Sequence, residues 1–169
     1  MNILALDLSI TSTGYSIVSI EGKDKNTCKV KKWGKIETKP KDFKNEDLRI
    51  NYIVDTISDI IKDSGEIDIL AVENQFISPR ANTIMILRKL LGAVCRMSYK
   101  EYGLEVMYIA PTSVKKFITG SGKAKKDDVA KVIRENYIDI GEYSDSTGKK
   151  KTSDIYDAIS VAIAVGCTI

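Results

Sequence analysis

Residues 2–8 read Asn-Ile-Leu-Ala-Leu-Asp-Leu, a short apolar run with an acid near its end. It reads as a buried strand, because the small polar residues Ser9 to Gly14 follow it as a turn. Tyr15 to Ile20 is a second strand, and Glu21-Gly22-Lys23-Asp24 turns the chain again. Lys29 to Glu37 alternates and includes Val30, Trp33 and Ile36, which predicts a third strand. Three strands joined by short turns form an antiparallel meander.

Beyond the meander the apolar period lengthens. Leu48, Ile53, Ile57, Ile60 and Ile61 recur at helical spacing, with Gly65 as a stop. Asp68 to Glu73 (Asp-Ile-Leu-Ala-Val-Glu) is a fourth strand, and it too ends in an acid. Pro79 opens a long helix running to about Tyr102, and Glu105 to Ala110 is a fifth strand. Thr112 to Ile118 and Asp127 to Asn136 are short helices around a loop, Thr119-Gly120-Ser121-Gly122-Lys123. Gly141 to Lys151 is polar, and Ser153 is placed to cap a last helix from Asp154 to about Val165. The expected fold class is α/β: a five-stranded mixed sheet, three antiparallel strands then parallel ones, flanked by helices within one domain over residues 1–169. A helical crossover makes strands one and four parallel neighbours, with their C-terminal ends side by side.

Composition narrows the chemistry. The 169 residues are 43% apolar and 29% charged, which suits a globular chain long enough for one core. No apolar run reaches the roughly 20 residues that span a bilayer. The first residues carry Asp7 and no basic leader, so neither a signal peptide nor a membrane partner is expected, and a cytoplasmic location is. Cys28, Cys95 and Cys167 lie far apart in sequence without C-x-x-C spacing, arguing against a disulfide framework or a zinc knuckle. Histidine is absent, which removes Ser-His-Asp and Cys-His catalysis and the His-ligated zinc hydrolases.

The net charge of +3 says little, but its distribution says more. Lys23 to Lys44 holds nine lysines against Asp24, Glu37 and Asp42. Lys115 to Arg134 holds seven bases against Asp127 and Asp128, and Lys149, Lys150 and Lys151 form a third cluster. Clustered bases beside clustered acids suit a polyanion reached through metal ions; a solvated lysine-rich surface is the plainer reading.

Asp7 ends the first strand, Glu73 ends the fourth, and Asp154 and Asp157 share one face at the start of the last helix. Four carboxylates therefore converge at one edge of the sheet. Unpaired, they repel one another, and a divalent cation relieves the repulsion. Oxygen-only ligation favours Mg²⁺ or Mn²⁺ over zinc.

Ile-Leu-Ala-Leu-Asp-Leu-Ser-Ile-Thr-Ser-Thr-Gly-Tyr (3–15), Ala-Val-Glu-Asn-Gln-Phe (71–76) and Ser-Asp-Ile-Tyr-Asp-Ala-Ile-Ser-Val-Ala (153–162) resemble the RuvC family of Holliday-junction resolvases. The resemblance spans nearly the whole chain in order and implies the RNase H-like fold. The compact, lysine-rich form looks more like phage-encoded members than cellular bacterial ones. Carried over by position, Asp7, Glu73, Asp154 and Asp157 match the family's metal-binding catalytic acids; some members have histidine at the third place, where this chain keeps Asp154. Phe76 falls where the family carries an aromatic near the junction crossover. Lys115 and Lys126 fall near family lysines close to the DNA, with Lys116, Lys123 and Lys125 alongside in the same basic segment. The long polar stretch from Asn136 to Lys151 departs from the family pattern.

The resemblance implies a metal-dependent endonuclease that resolves four-way junctions by paired nicks, leaving 5′-phosphate and 3′-hydroxyl ends. Two divalent ions roughly 3.5–4 Å apart serve such hydrolysis, with Asp7 expected to bridge them. The long helix carries one apolar stripe of Ile84, Leu87, Leu91 and Cys95 and another of Ile86, Leu90, Ala93 and Met97. One stripe faces the sheet, and the other is expected at a homodimer interface through residues 79–102. A broader branched-DNA or flap nuclease and a non-catalytic junction-binding protein are the alternatives. A sugar-kinase or actin-type nucleotide fold fits poorly, because the chain looks too short for two lobes. Gly120 to Lys125 is no P-loop either, since Phe117 and Ala124 occupy positions that need glycine and a hydroxyl.

Overall fold

A computed structural model describes residues 1–74, 81–140 and 153–169. The strands are β1 (Asn2–Asp7), β2 (Ser12–Ser19), β3 (Lys29–Glu37), β4 (Ile69–Glu73) and β5 (Val106–Ile109). The helices are α1 (Glu46–Lys62), α2 (Ala81–Tyr102), α3 (Pro111–Thr119), α4 (Lys126–Asn136) and α5 (Ser153–Gly166). The strands form one sheet in the order β3-β2-β1-β4-β5. β1 pairs antiparallel with β2 and β2 with β3, whereas β1–β4 and β4–β5 are parallel. This is the mixed sheet that the chain's patterning predicts.

Period-two alternation divides the core. Leu4, Leu6, Ile17, Leu70 and Val72 face α1 and α2, meeting Ile53, Ile57, Leu90 and Val94. Ile3, Ala5, Val18 and Ala71 face the other way, toward α5 with α3 and α4. α5 is apolar nearly all round and, apart from half-buried Asp157, is buried from Ile155 to Gly166, so it runs as the central helix of that layer. Small sheet residues (Ala5, Gly14, Ser16 and Ala71) let it lie close.

Several local expectations shift. β2 begins at Ser12, inside the expected turn, because Asp7 still pairs with Gly14. Ser153 is the first residue of α5, not a residue outside it. On α2, the buried line is Leu90, Val94 and Met97, at helical i, i+4, i+7 spacing. Val94 thus belongs with the second stripe. Ile84, Leu87, Leu91 and Cys95 of the first stripe stay half-buried. Gly120 adopts a φ of 82° and ends α3, so its backbone freedom serves helix termination. Cys28 and Cys167, 139 residues apart, bring their sulfurs within 3.9 Å as free thiols. Among the described residues, no helix is long and apolar enough to cross a membrane. Phe76, Pro79 and the Lys149–Lys151 cluster lie outside the described residues.

Candidate active site

The parallel register aligns Ile3 with Ile69 through Leu6 with Val72. One further step brings Asp7 alongside Glu73. Both acids lie on the face of Ala5 and Ala71, beneath α5. Across the sheet the same row continues from Asp7 to Gly14 and from Gly14 to Lys35 on one side, and from Glu73 to Ile109 on the other.

α5 delivers the remaining two acids from its first turns. Its approach depends on Gly14, where an added Cβ would lie 2.1 Å from the Asp154 carbonyl oxygen. The positive end of the α5 dipole therefore points at the carboxylates and favours their charge. Ser12 Oγ donates to Asp154 Oδ2 at 2.8 Å, and Ser153 Oγ donates to Oδ1 at 3.2 Å. The turn carrying Ser12 is itself braced. Arg49 Nε donates to Thr38 Oγ1 at 2.7 Å, the Thr38 hydroxyl donates to the Ile10 carbonyl, and Thr38 N–H donates to the Thr11 carbonyl at 3.1 Å.

The electrostatics mark Asp7. Only 6% of it is exposed. Burial, then the Asp157 charge, with Glu73 and Asp154 adding, pushes its carboxyl up to about 8 against the opposing pull of Lys126. Burial also raises the Asp157 carboxyl, while Lys126 holds it down by hydrogen bond and charge. Lys126 Nζ sits 2.5 Å from Asp157 Oδ2. Burial works against the Lys126 charge, but Asp157, Asp7 and Asp154 together raise its pKa.

The donors are all hard oxygens, and they repel one another around a buried carboxylate, which fits an oxygen-ligated divalent cation. Among the described residues, no three acids are grouped closely enough to hold a metal ion as they stand. The Lys126 ammonium instead supplies positive charge at Asp157.

A cleft of about 520 Å³ opens beside the acids, lined by Glu73, Asn74, Thr112, Lys115, Lys126 and Asp157 among others. Of the basic residues expected near DNA, Lys115 and Lys126 thus reach the site. Lys116, Lys123 and Lys125 are exposed and are not among the lining residues. Lys125 precedes α4, and its backbone N–H donates to Asp128 Oδ2. Sequence reading missed Ser12, Asn74 and Thr112 as site residues. The hydroxyl-rich turn was the one available sign of Ser12.

A mixed sheet in this order, with acids from two parallel strand ends and from the helix laid over them, defines an RNase H-like nuclease fold. The structure of Thermus thermophilus RuvC superposes with a TM-score of 0.77 at 24% identity, over 97% of this chain and 92% of that one. T. thermophilus RuvC in complex with Holliday junction substrate gives a TM-score of 0.80 at 23% identity, with the same coverage. A family model described as Crossover junction endodeoxyribonuclease RuvC matches residues 3–165. The crossover junction endodeoxyribonuclease RuvC of Ehrlichia ruminantium (strain Gardel) is 33% identical over 170 residues, covering 96% of this chain and 94% of that protein. The chain belongs to the RuvC family of crossover junction endodeoxyribonucleases.

Ser12 gives a direct test of the site. Ser12→Ala removes the hydrogen bond to the Asp154 carboxylate, and junction cleavage should fall on the order of tenfold with little change in melting temperature. Single-turnover rates beside thermal melts check this; an unchanged rate means that Asp154 needs no such brace.

Proposed function

We propose that this chain is a divalent-metal-dependent nuclease, acting as one domain, that resolves four-way DNA junctions by paired symmetric nicks. The observation that carries the reading is the buried Asp7, set beside Glu73 by strand register and opposed by Asp157 and Asp154 from α5. Family membership supports the substrate class.

Asp7, Glu73, Asp154 and Asp157 would hold the metal, with Mg²⁺ the expected ion, Mn²⁺ its substitute, and two ions per site. Bound there, the metal supplies Lewis-acid charge relief at the scissile phosphate. The chain's own groups do the rest. Lys126 and Lys115 line the cleft and neutralise phosphate oxygens, Lys126 leaving Asp157 to do so. Ser12 fixes the Asp154 carboxylate, which would ligate one ion or position the attacking water. Hydrolysis at phosphorus leaves 5′-phosphate and 3′-hydroxyl ends. Phe76 extends the reading to an unpaired base at the crossover, and the half-buried α2 stripe extends it to a homodimer that presents two sites to a two-fold symmetric junction. A cytoplasmic location, where the DNA substrate would be met, is part of the same proposal.

The test is a synthetic mobile four-way junction and its matched duplex, incubated with Mg²⁺, Mn²⁺ or Ca²⁺ beside an Asp7→Asn control. Expected are paired symmetric nicks on the junction with Mg²⁺ or Mn²⁺, absent from the duplex and lost in the control. Equal cutting of forks, flaps and junctions replaces the resolvase reading with a general branch nuclease. Binding without cutting under every metal removes the enzymatic reading.

A further inference from the structure

Two of the three cysteines meet at the end of the molecule remote from the acids. Cys28 stands in the turn just before β3, and Cys167 follows the last residue of α5. Their sulfurs lie 3.9 Å apart although 139 residues separate them in sequence, and both are free thiols. Cys28 is half-buried, whereas only 9% of Cys167 is exposed. The Cys28 N–H donates back to the Lys25 carbonyl and the Cys167 N–H to the Ile163 carbonyl, so neither residue belongs to a strand ladder. Closing the pair to the roughly 2.05 Å of a disulfide is therefore within reach of side-chain rotation and small shifts at two element ends. Cys95 takes no part. It lies on α2, across the sheet, with its sulfur 3.0 Å from the Tyr108 hydroxyl.

A thiol pair can act as a nucleophile, a metal site or a disulfide. Burial raises both thiols, and the Cys167 thiol helps push Cys28 up to about 12, so neither sulfur is primed as a thiolate. Zinc takes four ligands, and among the described residues no third His, Cys, Asp or Glu joins the pair closely enough to hold a metal. A disulfide needs only the two sulfurs already in contact. Its effect follows from what it joins. α5 carries Asp154 and Asp157 at its start, and Cys167 lies about 15 Å further along the helix axis than Asp157. A bond there fixes the far end of α5 to the chain entering β3 and leaves the acids untouched.

We propose that Cys28 and Cys167 are a redox modification site: an oxidised small-molecule disulfide converts them to an intramolecular disulfide that staples the C-terminal end of α5 to the sheet. Half-buried Cys28 is the more accessible thiol and reacts first. Its thiolate attacks the reagent, forming a mixed disulfide and expelling one thiolate. Cys167, deprotonated, then attacks the Cys28 sulfur and expels the second. The pair loses two protons and two electrons, and the reagent takes them up as two thiols.

The experiment exposes the full chain exhaustively to oxidised glutathione in mildly alkaline buffer, beside a sample kept in dithiothreitol. The oxidised chain should lose two of its three titratable thiols. Digestion without reductant should yield the Cys28 peptide joined to the Cys167 peptide. Closing so long a loop should raise the melting temperature on the order of 10 °C, reversed by dithiothreitol. Cys95→Ser should behave like the unaltered chain. Cys28→Ser should melt near the reduced chain and show no rise on oxidation. Thiols left free, glutathione left on Cys28, a link through Cys95 between two chains, or a Cys28–Cys167 link without a higher melting temperature each overturns the proposal. The pair then only fills space at the end of the core. No step uses DNA, so the nuclease reading stands or falls separately.

Discussion

Asp7→Asn should abolish junction cleavage and, with divalent cations chelated, make the protein more heat-stable at pH 8. The first effect follows from removing the central donor of the acid cluster, and a loss of about a thousandfold or more is expected from transition-state charge stabilisation of several kcal/mol. The second follows from the cost of the charge itself. Burial first, then Asp157, raises the Asp7 carboxyl from 3.8 to about 8. The folded protein thus holds this proton more tightly than the unfolded chain does. The resulting stability is fully present below about pH 4 and is lost as pH rises through about 8. Asparagine carries no such proton, so its stability stays flatter over that interval. A tenfold difference in proton affinity is worth about 1.4 kcal/mol. Because the neighbouring acids and Lys126 share the proton, the gain at pH 8 is expected on the order of 2 kcal/mol, or about 4–8 °C in melting temperature for a chain of this size.

Divalent cation should reverse the ranking. Mg²⁺ or Mn²⁺ at pH 8 should raise the melting temperature of the unaltered protein far more than that of Asp7→Asn. Below pH 8, binding should release protons, seen by calorimetry in buffers of differing ionisation enthalpy. Superimposable stability–pH curves in chelator would show that Asp7 carries no buried-charge cost. Retained cleavage would remove it from the chemistry.

The strands were legible where the pattern was local. β3 spans the expected Lys29 to Glu37, and β1 and β4 end where their acids stand. That was enough to bring Asp7 beside Glu73, since a helical crossover leaves β1 and β4 parallel. The supports of the site were not legible, because they are contacts between distant segments. Ser12 reaches Asp154 across 142 residues, and Arg49 braces the Ser12 turn from another helix. Nothing in either neighbourhood requires the other. Lys126 is similar: its position beside other lysines gave no sign that its ammonium alone would sit on Asp157. The polar turn at residues 9–14 hid the start of β2, since Ser12, Thr13 and Gly14 lack the apolar alternation that signals a strand.

Gly14 was read as a turn residue, and its structural position predicts the second large effect. Gly14→Ala should cost both stability and catalysis. The new methyl would meet the Asp154 carbonyl oxygen at 2.1 Å and its carbonyl carbon at 2.5 Å. Those atoms are backbone of a buried helix, so no rotamer change relieves the clash, and α5 must lift at its N-terminus. Overpacking of this kind costs about 1–3 kcal/mol. The lift also moves Asp154 and Asp157 away from Asp7 and Glu73, and a displacement near 1 Å lowers rates by about a hundredfold. Gly166→Ala separates the two effects. There the methyl would lie 2.1 Å from Ile20 Cδ1 and 2.6 Å from Ile3 Cδ1, the ends of side chains at the far end of α5. That variant should melt earlier yet cleave normally per folded molecule. Measuring cleavage rate and melting temperature for both substitutions decides the matter. If Gly14→Ala keeps full activity, the acids do not depend on the seating of α5 against β2, and the geometry assigned to the site is wrong at its centre.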